Sequence, residues 1–247
     1  MALVLNGSTT ILTHATDTSN IGLGSTAVDS ITTGDYNVGI GDEAGTAITE
    51  GAKNVMLGFR AGKLISTGIQ NVAVGSYSLD ANTTGQENIA IGNSALGSNT
   101  TASYNTAVGT KALYANTTAA NNTAVGYYAL VANTTGSYNT AIGSTSLDAN
   151  TTGQYNSALG RNSLTANTTG SSNVAIGKSA LESNTTANNN VAVGTSALGS
   201  NVTGTYNAAL GHSALGQNTA SFNTAVGSLA GSNITSGSYN TIMGAAA

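Results

Sequence analysis

Asn105-Thr106-Ala107-Val108-Gly109-Thr110-Lys111-Ala112-Leu113-Tyr114-Ala115-Asn116-Thr117-Thr118-Ala119-Ala120-Asn121 is one unit of a repeat, and Asn122-Thr123-Ala124-Val125-Gly126 opens the next. The motif Asn-x-Ala-(Val/Ile/Leu)-Gly starts at Asn71, Asn88, Asn105, Asn122, Asn139, Asn156, Asn173, Asn190 and Asn207, in steps of seventeen. Looser copies carry the same step back to Asn54, Asn37 and Asn20, and the series continues at Asn223, one residue early, and at Asn240. The short step lies at Gln217-Asn218-Thr219-Ala220, where a single Thr stands in place of Thr-Thr. Regular self-similarity of this kind marks a repeat architecture in which each unit stacks on the next. Seventeen residues is too short for the common helical repeats, which need roughly 33 or more, and it suits one coil of a parallel β-solenoid.

Numbering each unit from 0 at the motif Asn, positions 1 and 3 are apolar or β-branched in nearly every copy, as at Val191 and Val193. A short alternation bounded by Gly predicts a strand over positions 1 to 3. Position 8 is Leu in most copies (Leu79, Leu96, Leu113, Leu130, Leu147, Leu164, Leu181, Leu198 and Leu215). Position 11 is Asn almost as often, as at Asn82, Asn116, Asn133, Asn150 and Asn167, usually followed by Thr-Thr and then Gly or Ala. That stretch predicts a turn, because Asn and Gly tolerate left-handed backbone. Stacked coils would align the Asn of positions 0 and 11 into amide ladders. Candidate ladder residues are therefore Asn71, Asn88, Asn105, Asn122 and Asn139 in one column, and Asn82, Asn116, Asn133, Asn150 and Asn167 in the other.

Charge placement gives the coil an inside and an outside. From Asp29 onward every Asp, Glu, Lys and Arg falls at position 5, 6, 9, 13, 15 or 16. Charges are almost never fully buried without a partner, so the charge-free positions are expected to mark core or tight contacts. On this reading the core of a coil is its Leu, the Val or Ile of position 3 and the β-branched residue of position 1. That core is thin, and Ala at position 2 with Gly at position 4 makes a smooth uncharged strip suited to close approach of another chain. Association of three copies through that strip is the expectation.

Composition excludes several classes. Charged residues make up 6% of the 247, aromatics 5%, and there is no Trp, Pro or Cys. Typical soluble domains carry about a quarter charged residues. A net charge of −4 with β-formers at fixed places argues for order rather than disorder. Without Cys there are no disulfides and no thiolate chemistry. No apolar run approaches the roughly 18 residues of a membrane helix, and the opening Met1–Thr10 lacks the basic start of a secretory signal peptide. The acidic balance leaves no basic patch for nucleic acid. His14 and His212 are the only histidines, nothing repeats around them, and the carboxylates scatter over outward positions, so neither a metal site nor an enzyme is expected. The Gly-x-Gly at Gly22–Gly24 and Gly39–Gly41 is the repeat motif itself and no phosphate loop. Asn-Thr-Thr at position 11 matches a glycosylation sequon many times over, but it also reads simply as a turn Asn before β-formers. Tyr or Phe recurs just before the motif Asn, at Tyr36, Tyr104, Tyr138, Tyr155, Tyr206, Phe222 and Tyr239. This stripe suits either glycan stacking or packing between chains.

Asn-Thr-Ala-Val-Gly at Asn105–Gly109 and Asn122–Gly126, each followed by Ala-Leu (Ala112–Leu113, Ala129–Leu130), resembles two related repeat sets. One is the head repeat of trimeric autotransporter adhesins; the other is the Asn-Thr-Ala-Ile-Gly arrays of tailed-phage tail fibres. The resemblance covers Asn20 to Gly244. It implies an all-β, left-handed parallel β-roll of about fourteen coils, homotrimeric, that presents a surface for attachment to a host glycan or protein receptor on a virion or in the extracellular space. The coil is longer than in the adhesin heads, and no stalk, anchor or signal peptide is evident, which favours the phage-fibre branch. Residues 1–19 would form an N-terminal cap or attachment segment and 20–247 the solenoid. Two other roles fit the repeats: a self-assembling extracellular filament, and an ice-binding solenoid using Thr-rich faces.

Overall fold

The computed structural model describes residues 19–246. The expected attachment segment lies, apart from Ser19, outside these residues, as does His14. The chain is an all-β parallel β-solenoid with one three-residue strand per coil, and it divides into two compact units, residues 1–118 and 119–247. In the first, β1 (Ile21–Leu23), β2 (Val38–Ile40), β3 (Val55–Leu57), β4 (Val72–Val74), β5 (Ile89–Ile91) and β6 (Thr106–Val108) pair in parallel in chain order. In the second, the same holds for β7 (Thr123–Val125), β8 (Thr140–Ile142), β9 (Ser157–Leu159), β10 (Val174–Ile176), β11 (Val191–Val193), β12 (Ala208–Leu210), β13 (Thr224–Val226) and β14 (Thr241–Met243). Each residue pairs with its equivalent one repeat later, as Ile89 with Thr106. The one-residue deletion is absorbed before β13, where Ala208 still meets Thr224.

Backbone groups join neighbouring coils all the way round, not only at the strand. Ile89 N–H donates to Asn105 O at 2.8 Å, Gly92 N–H to Val74 O at 2.7 Å, Leu96 N–H to Ala112 O at 3.1 Å and Thr100 N–H to Thr117 O at 3.0 Å. Paired backbone at every corner is what a buried chain requires. Position 4 is Gly for a matching reason. Gly143 has φ +138°, and a Cβ there would lie 2.5 Å from the carbonyl oxygen of Gly160 in the next coil. Only a residue without a side chain allows coils to stack this closely.

The strand faces the opposite way from the expectation. Position 2 is inward: Ala73, Ala90, Ala107, Ala124, Ala141, Ala175 and Ala192 are fully buried. Positions 1 and 3 point outward, with Ile89 38% and Ile91 39% exposed. The cause is parity. The motif Asn is buried, side chains alternate along a strand, and so positions 0 and 2 share the interior, with the half-buried Gly of position 4 at the corner. The Ala-Gly pair is therefore not a surface strip, and the β-branched residues are not core. The lumen of a coil holds Ala at positions 2 and 7, Leu at 8 and Asn at 0 and 11, all excluded from solvent at Ala107, Ala112, Leu113, Asn105 and Asn116.

Three coils fill that lumen differently. Gly45, Gly62 and Gly231 replace the Leu of position 8, and Ile48, Ile65 and Ile234 replace the Asn of position 11. A Cβ on Gly62 would lie 2.8 Å from both Ile65 Cδ1 and Met56 Cγ, and Met56 stands where other coils have Ala. The space that Leu fills from one side is taken from two others, a volume-conserving exchange of the kind cores tolerate. Gly62→Leu alone is expected to overpack and Ile65→Asn alone to leave a cavity, each costing about 1–3 kcal/mol or more. Met56 also fills the space at Gly45, whose Cβ would lie 2.6 Å from Met56 Cε, so the matching variant combines Gly45→Leu and Ile48→Asn with Met56→Ala, Gly62→Leu and Ile65→Asn, which restores the Leu and Asn of the repeat in both coils. Urea unfolding should show it recovering most of that loss; additive losses would refute the exchange.

Candidate functional site

Each unit carries an apolar sheet face on its outside. In unit 1 it is formed by the outward residues of β2 to β6, among them Ile40, Val55, Leu57, Ile89 and Ile91, all more than a third exposed. In unit 2 it is formed by Ile142, Leu159, Ile176, Val191, Leu210 and Val226. None of the strands contains a charged residue. Scattered exposed aliphatics are ordinary on a protein surface; a contiguous apolar patch marks an interaction site. The unit 2 face also has a hollow of about 190 Å3, lined by Val191, Val193, Ala208, Ala209, Leu210, Thr224, Ala225 and Val226. Ala208 makes it, being the small residue in a row that is otherwise Val or Thr on either side.

The aromatic stripe before the motif Asn is exposed at every position, from 44% at Phe222 to 78% at Tyr239. The backbone there is left-handed, with φ between +57° and +63° at Tyr36, Tyr104, Tyr138, Tyr155, Tyr206, Phe222 and Tyr239. Equal backbone projects equal side chains, so rings in successive coils stack. Tyr138 and Tyr155 lie parallel with centroids 5.0 Å apart. Tyr206, Phe222 and Tyr239 form a three-ring stack at 5.1 and 5.0 Å. Tyr36 and Tyr104 are brought into neither stack.

A second cluster lies at positions 5, 6 and 9 of unit 1, where the spacing of charges marked an outer surface but not which groups meet. Arg60 bridges Asp80 at 3.3 Å and Glu43 at 3.9 Å, and Lys63 bridges Glu43 at 2.5 Å. Arg60 also lies over the Tyr77 ring, which packs edge-on against Phe59. Burial pushes the Asp80 carboxyl above its ordinary range, against the pull of Arg60 and Lys63. Arg60 and Asp80, like Glu43 and Lys63, sit one coil and three residues apart, a relation that becomes visible only when the coils are stacked. His212 is exposed, and among the described residues no group of three His, Asp or Glu could hold a metal ion.

The Asn columns are interior, not surface. Asn88 Nδ2 donates to Asn71 Oδ1 at 3.1 Å and to Ala102 O at 2.9 Å, while Asn88 N–H also donates to Asn71 Oδ1 at 3.0 Å. At position 11, Asn150 Nδ2 donates to Asn133 Oδ1 at 2.8 Å and to Gly153 O at 3.0 Å, and Asn167 Nδ2 donates to Asn150 Oδ1 at 2.9 Å. Asn82, Asn116, Asn133, Asn150 and Asn167 are fully buried, which closes these sequons to a glycan on the folded chain. Where the repeat is one residue short, the column breaks: Asn201 Oδ1 is buried without a donor, and Asn218 Nδ2 turns to Ala220 O at 2.8 Å.

Comparison with known protein families, with curated proteins and with solved structures finds no match. The surface must therefore be interpreted from its own geometry.

Asn150→Ala removes two donors and an acceptor at once, leaving Asn133 Oδ1, Gly153 O and Asn167 Nδ2 short of partners. Unsatisfied buried groups cost about 1–3 kcal/mol each. We expect a loss of at least 2 kcal/mol in denaturant unfolding, against almost none for Gln154→Ala, an exposed side chain of the same coil. Equal effects at the two sites would remove the ladder from the account of stability.

Proposed function

We propose that the chain is a structural and adhesive fibre segment, of the kind that the resemblance to tailed-phage tail fibres and adhesin heads implies, whose copies associate three at a time through the apolar strand face. It acts on a virion or outside the cell, holds its remaining faces toward a host glycan or protein receptor, and has no catalytic role. The observation that carries this reading is the outward row of Val, Ile and Leu, kept free of charge in both units. A solvated face of a parallel solenoid has no physical reason to exclude Lys and Glu; a face that another copy covers does. Ala208 and its neighbours supply a recess for a side chain of such a copy. Three-fold closure suits a narrow face, since each copy offers one strip and buries it against two neighbours.

The ice-binding alternative draws less support. The position 12 Thr hydroxyls are already committed to the next coil, with Thr83 Oγ1 donating to Thr100 O at 3.0 Å and Thr151 Oγ1 to Thr168 O at 3.1 Å.

Light scattering on the purified chain should give three times 24.2 kDa. Ile142→Lys with Ile176→Lys, two side chains 38% and 39% exposed in the single chain, should give a monomer with an unchanged β circular dichroism spectrum. A monomeric native protein, or a double variant that stays trimeric, would overturn the assignment.

A further inference from the structure

The aromatic stripe of unit 2 has a gap, and the gap is two coils high. Tyr138 and Tyr155 stack at 5.0 Å, Tyr206 and Phe222 stack at 5.1 Å, and between the two stacks the equivalent residues are Ser172 and Asn189. All six share the same left-handed backbone, φ +57° to +61°, so Ser172 and Asn189 stand in the ring column without filling it. Both are exposed. The Tyr155 ring face and the Tyr206 ring face thus look at each other across a slot floored by a hydroxyl and an amide. At about 4.8 Å per coil the missing piece is two rings thick, on the order of 10 Å. Such a slot admits a stacked pair of rings, and Tyr138–Tyr155 is such a pair.

We infer that the slot is filled by the Tyr138–Tyr155 pair of a second copy of this chain, in a reciprocal antiparallel contact. A two-fold axis crossing the coil stack between the Tyr155 and Ser172 levels sets the second copy's Tyr155 beside Ser172 and its Tyr138 beside Asn189. The same operation sets this copy's pair into the second copy's slot, as an isologous interface requires. The rings then form one shared column in which Tyr155 meets its own symmetry mate, and the second copy's Tyr138 reaches the exposed face of Tyr206. Offset-stacked aromatic pairs are favourable beyond the area they bury. Charge also permits the contact. The charged residues of unit 2 are Asp148, Arg161, Lys178 and Glu182, at positions 5 and 9 of their coils, and positions 12 to 16 around the slot hold only neutral residues. In unit 1 the corresponding positions carry Asp35, Glu50, Lys53 and Glu87, and no such slot occurs there. The contact uses a different face from the apolar strands and does not rest on the three-fold association proposed above. Its small area makes it a weak contact between copies.

Full-length chain labelled with 15N is mixed with unlabelled chain and photo-oxidised with a ruthenium complex, and dityrosine-linked peptides are read by mass spectrometry. A mixed-isotope Tyr155–Tyr155 product is expected, beside the intrachain Tyr138–Tyr155 product. Ser172→Tyr with Asn189→Tyr fills the slot with the chain's own rings at positions where the backbone already carries Tyr in neighbouring coils. It should lower the mixed-isotope product at least tenfold and leave the intrachain product unchanged. If association merely followed the number of exposed rings, this variant would cross-link more, and the inference would fall. Intrachain product alone from the native chain would also overturn it, and would leave the slot to a ring-shaped ligand.

Discussion

The amide of the motif Asn is the constraint on which everything else depends. Asn71 Oδ1 accepts the backbone N–H and the side-chain Nδ2 of Asn88, and Asn88 Nδ2 also donates to Ala102 O. Both atoms of each amide are used, in a place without water. A buried polar group must be fully paired or it costs more than it contributes, so this side chain can point nowhere but inward, one coil height from its equivalent. That single orientation sets the parity of the strand that follows. Ala goes in and the two β-branched residues go out; a slip of one residue would exchange the faces. The same amide also fixes the coil height, because its hydrogen bonds run to the coil above. Gly at position 4 follows from that height, since nothing larger fits between successive backbones, as Gly92 against Gly109 shows at 2.5 Å for a hypothetical Cβ.

A lumen this narrow takes one large side chain in most coils, and two, Met56 and Ile65, in the coil from Asn54. In most coils it is Leu, held with φ near +50° at Leu79, Leu96 and Leu198. Left-handed backbone is costly for a bulky residue, on the order of 1–3 kcal/mol, and it persists here because it turns the side chain into the only space available and leaves the N–H aimed at the next coil, as Leu198 to Ala214 O at 3.0 Å. Ile48, Ile65 and Ile234 show the alternative. When the volume is supplied from position 11, the residue at position 8 shrinks to Gly, and the position 11 amide column gives way to hydrocarbon. Backbone groups paired with a neighbour at every corner hold this thin apolar core in place.

Much of this was legible in the sequence, for identifiable reasons. The period, the coil count, the strand at positions 1 to 3 and the turn at Asn-Thr-Thr follow from spacing alone, because a solenoid repeats its geometry as often as its sequence. The parity of the strand was not read correctly. Val-Ala-Val offers two apolar residues around one Ala, and hydrophobicity favours burying the pair; the information that decides otherwise is the buried Asn one residue earlier. Charge exclusion misled for a related reason, since it holds at Val191 and Val193, which are outward, as well as at Leu198, which is inward. The Arg60–Asp80 and Lys63–Glu43 contacts were not legible because they join neighbouring coils at unlike positions. The ring stacks needed the left-handed φ at positions such as Tyr138 and Tyr155 before equal spacing could become equal direction.

The surface of each coil is as strictly sorted as its interior. In unit 2, Asp148, Arg161, Lys178 and Glu182 occupy the turn after the strand, the strand face is aliphatic, Thr or Ser, and the return segment is neutral and aromatic. A solenoid obliges this sorting to matter, because whatever stands at one position is multiplied along the stack into a strip of uniform chemistry. A single exposed Ile is ordinary; a column of aliphatic residues, repeated from coil to coil with no charge between, is an apolar strip of the kind that marks interaction sites. The fold thus converts one residue choice per repeat into a strip of one chemistry. The physics that stacks a coil on its neighbour within the chain therefore turns a small sequence bias into a property of a whole face.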